Sequence, residues 1–147
     1  MHFAFLIVLG SIILGSALIS YSRKRRREHA SDVPEHLVMK MARGVSSRVF
    51  VGEDVLDGPK AGVINRSPAD LILTADRLIV ATRHGRVLEI KANGDGAVRC
   101  TGPRRLVIEG TRLRKSGKMP VRVELIVDEA EEWQALAAER LGTGLRA

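Results

Sequence analysis

The chain has almost no cysteine, few aromatic side chains and, over its first 22 residues, no charge. Cys100 is the single cysteine among 147 residues, so an intrachain disulfide scaffold is excluded. Three Phe, one Tyr and one Trp leave little from which to build a stacking surface for single-stranded nucleic acid. There is no glycine-rich phosphate loop ahead of a helix, no G-x-S-x-G, no H-E-x-x-H and no standout pair of carboxylates. His2, His29, His36 and His84 show no metal-ligand spacing with a cysteine or carboxylate set. A strand-like context makes Cys100 a buried, inert thiol by default; a nucleophile needs a base, and its nearest histidine in sequence is His84. No enzyme, cofactor or metal is therefore expected.

What is present is unevenly spread. The formal net charge is +7, and it sits in two blocks: Arg23, Lys24, Arg25, Arg26 and Arg27 in one, and residues 99–122 in the other. From Phe3 to Tyr21 the chain is continuously apolar or small. As a helix at 1.5 Å per residue this stretch spans about 28 Å, close to the roughly 30 Å hydrocarbon core of a bilayer. Its Leu, Ile, Val and Phe favour insertion by about 3 to 7 kcal/mol. A buried core helix would show a polar face, and a secretory signal would carry its basic residues before the apolar run rather than after it. The expectation is one uncleaved single-pass transmembrane helix. Arg23 to Arg27 form its stop-transfer flank, which places the N-terminus outside and the domain in the cytoplasm, at an inner membrane. Small residues four apart, Ser11 with Gly15 and Ser16 with Ser20, would let another helix approach.

Residues 28–44 carry helix signals: Ser31 or Asp32 as a cap, Pro34 in a first turn, Leu37 and Met41 on one face and Gly44 as a stop. From Gly44 onward the pattern changes to short β-branched or alternating runs punctuated by Gly, Pro, Asn and Asp, which predicts about seven strands. Leu71–Val80 reads as a hairpin across a Thr74–Arg77 turn. A second turn at His84-Gly85 leads into Val87–Ile90, and Asn93–Gly96 makes the next break. The end of the chain reads as one helix, capped by Asp128, with Trp133, Leu136, Ala137 and Leu141 on one face and Gly142 as its stop.

That order, an antiparallel sheet followed by one amphipathic helix, carries a resemblance. Gly52-Glu53-Asp54-Val55-Leu56, then Leu71-Ile72-Leu73-Thr74-Ala75-Asp76-Arg77-Leu78-Ile79-Val80, then Gly85-Arg86-Val87-Leu88-Glu89-Ile90 and a Trp in the last helix resemble the bacterial pleckstrin-homology-like (PH-like) and GRAM-related domains. The resemblance covers about two thirds of the chain, from near Val49 to Leu141. It implies an α+β, mainly β fold: a PH-like antiparallel barrel or sandwich of about seven strands with a C-terminal α-helix, here preceded by the transmembrane helix. The expected organisation is an anchor over 1–22, a basic flank and linker helix over 23–43, the domain over 44–142 and a tail over 143–147.

The resemblance also implies a binding platform without a catalytic set. Phosphoinositide-binding members carry a basic motif between the first two strands. Here that connection is expected near Asn65–Asp70, with one Arg beside an Asp, so that recognition does not carry over. The densest charge of the domain is Arg112, Arg114, Lys115 and Lys118, expected in a hairpin loop. Its plain reading is a solvated loop, and its functional reading is a finger for acidic headgroups or an acidic protein face. Arg99, Arg104 and Arg105 would extend the patch. The expected function is a membrane-anchored scaffold that holds an unknown protein partner, with anionic lipid as a secondary contact; nucleic acid is disfavoured. The alternative is an accessory subunit of a membrane complex, contacting it through the N-terminal helix.

Overall fold

Thr74 explains the centre of the fold. Its hydroxyl donates to Asp76 Oδ1 at 2.8 Å and accepts from the Arg77 amide at 3.1 Å, which closes a two-residue turn and sets the flanking apolar runs side by side. In the computed structural model, which describes residues 2–30, 33–52, 65–115 and 117–142, those runs belong to strands β2 (Asn65–Thr74) and β3 (Arg77–Thr82). The remaining strands are β1 (Val38–Val51), β4 (Gly85–Lys91), β5 (Gly96–Gly102), β6 (Arg105–Arg114) and β7 (Gly117–Ile126), followed by helix α2 (Ala130–Leu141) and preceded by helix α1 (His2–Ala30). All pairings are antiparallel, in the order β4-β3-β2-β1-β7-β6-β5. The sheet curls into a half-barrel, compatible with a PH-like fold.

The core lies inside the curl. Leu71, Leu73, Leu78, Val80, Leu88, Ile90, Leu106, Ile108, Val123 and Leu125 meet Trp133, Ala137 and Leu141 of α2 there. The predicted Trp133 face of α2 is thus its buried face. The start of the helix differs from expectation: Glu129, in the left-handed region at φ 58°, is the residue ahead of the first turn and makes no side-chain cap. Asp128 instead pairs with Arg104 at 2.9 Å.

The transmembrane helix of the expected architecture is corrected. Helix α1 runs unbroken through the basic residues to Ala30, and among the described residues no helix is long and apolar enough to cross a membrane. Helix α1 packs on β2, β3 and β4. Of the basic run, Arg23, Lys24, Arg25 and Arg27 are exposed, whereas Arg26 is only 9% exposed and sits 3.8 Å from the buried carboxylate of Asp70. This cover accounts for β2 and β3 being buried on both faces: Leu71, Leu73, Leu78 and Val80 point to the core, while Asp70, Ile72, Ile79 and Ala81 are buried on the other side.

Two more expectations change. Among the described residues no linker helix is found: Glu35–Leu37 form one 3-10 turn and Val38 already begins β1. Asn65–Asp70, expected as the first connection, is the start of β2, with Ser46 opposite Pro68 and Arg48 opposite Arg66. Ser31, Asp32, the Glu53–Leu56 part of the family-like motif and residues 143–147 lie outside the described residues, as does the side chain of Ser11.

Candidate partner-binding groove

The curl leaves a seam. Strands β4 and β5 are the two edges of the sheet, and an unpaired edge exposes a row of backbone donors and acceptors. The β5 edge is closed: α2 packs along it, and the Cys100 amide donates to Gln134 Oε1 at 2.6 Å. The β4 edge instead borders a groove of about 550 Å³, within the usual range of about 300–1,000 Å³ for ligand sites. Every residue from Arg86 to Lys91 lines it, with Gly94 and Asp95 at one end and Thr111, Arg112, Leu113 and Lys118 along the opposite lip.

That lip forms because β6 outruns its neighbour. Pairing of β5 with β6 stops at Gly96 opposite Gly110, while β6 continues with β7 alone, Arg112 opposite Met119 and Leu113 opposite Lys118. Two glycines let the walls approach. A Cβ on Gly96 would lie 2.6 Å from Ile90 Cδ1, and one on Gly110 would lie 3.0 Å from Leu88 Cδ1.

The charges of the groove divide into a neutralised set and a free one. Glu89 is held by Arg77 at 3.3 Å and Arg86 at 2.9 Å. Among the described residues, Lys91, Arg112 and Lys118 form no ion pair, and Asp95 is the single carboxylate near them that is likewise unpaired. Leu113, 78% exposed, adds an apolar side chain to the lip.

The expected cationic loop is therefore corrected in form. Arg112 and Arg114 are on β6 and Lys118 is on β7, with only two residues between the strands. Arg112 and Lys118 reach the groove; Arg114 and Lys115 sit at the exposed tip beyond it. The proposed extension of the patch is also corrected. Arg99, Arg104 and Arg105 lie outside the groove lining; Arg99 pairs with Glu109 and Arg104 pairs with Asp128. These cations serve the outer face of the sheet and the start of α2.

The other basic block is divided as well. Arg26 meets Asp70, Arg25 lies 5.5 Å from the Tyr21 ring centroid, and Arg23, Lys24 and Arg27 line a shallow hollow with Ser20 and Glu28. Cys100 and His84 have separate partners: the thiol donates to the Gly102 carbonyl at 3.0 Å, and His84 Nε2 accepts from Arg83 at 3.0 Å. Among the described residues no three His, Cys, Asp or Glu side chains are grouped to hold a metal ion.

The sequence did not point to Lys91 or to the β4 edge. Lys91 closes an ordinary strand pattern, and only the curl brings β4 and β6 to the two sides of one groove. Comparisons with protein-family models, with curated proteins and with solved structures find no match to this chain.

Proposed function

We propose that this chain is a PH-like binding module without catalytic chemistry, and that it holds a protein partner at the β4–β6 seam. The observation that carries the reading is the groove itself, where Lys91, Arg112 and Lys118 stand unpaired beside an open strand edge. Unpaired cations around a partly apolar cleft favour an acidic face and raise its rate of encounter. The test is affinity purification of the full chain from its native cells beside a variant with Arg112, Arg114, Lys115 and Lys118 all changed to Ser. A protein captured by the first and lost from the second is the expected result. Equal capture by both would remove the seam from the function.

A second reading rests on α1. Ile12, Leu14, Leu18, Ile19 and Tyr21 are between 55% and 67% exposed, more contiguous apolar surface than a helix ordinarily leaves in water. The chain would then be an accessory subunit that meets a larger complex through this helix. Changing Leu14 and Leu18 to Ser would abolish capture on this reading and leave it intact on the first.

A further inference from the structure

We infer that the seam takes an acidic peptide in extended conformation, which adds to β4 as an eighth strand of the curled sheet; this rests on the binding-module reading and names the class of partner. Three observations converge on it. The first is the difference between the two sheet edges. The β5 edge has α2 along it and Gln134 bonded to the Cys100 amide; among the described residues no strand pairs with the outer edge of β4. Folded proteins ordinarily cover or blunt such an edge, because its backbone groups are a template for another strand.

The second observation is shape. The groove is lined by β4 from Arg86 to Lys91 and has a facing wall at Thr111–Leu113, beyond the point where Leu88 approaches Gly110. An extended segment laid there would pair its main chain with β4 and send alternate side chains towards the opposite lip, the geometry of strand addition. The third is charge. The lip and the end of β4 offer Lys91, Arg112 and Lys118 against Asp95 alone, since Glu89 is already shared by Arg77 and Arg86. Leu113 is an exposed apolar side chain on the same lip, directly across the β6–β7 ladder from Lys118, and an extended peptide of alternating acidic and apolar residues presents all its acidic side chains on one face, towards the cations.

The probe is a short fluorescent peptide of alternating glutamate and valine, titrated into the full chain and followed by anisotropy and by backbone hydrogen exchange. Three controls accompany it: the lysine-valine peptide, the glutamate-valine peptide methylated on alternate amide nitrogens, and phosphatidylserine vesicles. The expected result is binding of the acidic peptide alone, slowed exchange within Gly85–Lys91, and affinity about tenfold lower in an Arg112→Ser, Lys118→Ser variant. Equal binding of the methylated peptide, or binding without protection of β4, would show recognition of charge alone and overturn strand addition. Failure of the acidic peptide to bind, or engagement of Arg112 and Lys118 by vesicles instead, would overturn the acidic-peptide assignment. Partner capture that still depends on the cationic lip would then leave the binding-module reading standing, so the two failures are distinguishable.

Discussion

Lys40 Nζ lies 5.4 Å from the centroid of the Trp133 ring and bridges Glu132 at 2.6 Å and Glu129 at 3.0 Å. One side chain of β1 thereby clamps α2, the helix that lines the core of the half-barrel. Burial disfavours the Lys40 charge, but hydrogen bonds to Glu132 and Glu129 outweigh it and raise its pKa above the ordinary lysine value. The bond from Lys40 in turn holds the Glu132 carboxyl below its usual value.

The signs of these shifts define a pH window. The Glu132 contribution is present above the ordinary glutamate range and is lost as pH falls through the depressed folded value. The Lys40 contribution is present below the ordinary lysine range and is lost as pH rises through the raised folded value. Lys40→Met is expected to cost about 1 kcal/mol near neutral pH, because both carboxylates are largely solvated. Urea titrations at acid, neutral and alkaline pH would check this; a difference from wild type that persists unchanged at both extremes would contradict the clamp.

Asp70 and Arg26 are unequal partners. Asp70 Oδ1 accepts from the Gly44 amide at 2.8 Å as well as facing Arg26, whereas Arg26 Nε is buried without a hydrogen bond. Asp70→Ala is expected to cost about 3 kcal/mol, since it strands a buried cation and frees the Gly44 amide, and Arg26→Met is expected to cost less, since the carboxylate it strands keeps its bond from that amide. Chemical denaturation followed by circular dichroism separates the two, and the reverse order would refute the assigned asymmetry.

Gly96 sets how tightly the seam closes at its β4–β5 end. Gly96→Ala drives a methyl group into Ile90, where Cδ1, Cγ1 and Cγ2 would all lie within 2.8 Å of the new Cβ. The expected penalty is about 1 to 3 kcal/mol from overpacking. A thermal melt reads it. Ile90→Ala removes all three atoms, and a double change that costs less than the sum of the two single changes would locate the clash.

Gln134 guards the β5 edge. Gln134→Leu removes the acceptor of the Cys100 amide and is expected to cost about 1 kcal/mol or more. Faster hydrogen exchange at Cys100, with unchanged exchange in β3, is the specific signature. Uniform acceleration across the sheet would instead indicate general loosening.

The legibility of the chain varies with how local each cause is. The Leu71–Val80 hairpin was readable because Thr74, Asp76 and Arg77 close their own turn. The Trp133 face of α2 was readable because helical spacing and burial coincide. Residues 37–41 were misread because Leu37 and Met41 suit a helix as spacing, yet pairing of Lys40 with Leu73 and Met41 with Ile72 makes a strand. Pro68 and Asp70 looked like turn residues for the same reason; partners distant in sequence, Ser46 and the Gly44 amide, draw them into β2.

The sequence by itself determined a succession of about seven short strands, the antiparallel run from Leu71 to Ile90 and the closing helix, since alternation, turn chemistry and helical spacing act over a few residues. It also held a clue to α1: the Leu71–Leu73 and Leu78–Val80 runs are apolar at consecutive positions, as strands covered on both faces are. Only the tertiary structure decided that α1 supplies part of that cover, that Arg26 leaves water for Asp70, and that β4 and β6 line one groove beside an open strand edge. Those relationships join residues dozens of positions apart, and they arise from the curl of the whole sheet, which no local pattern encodes.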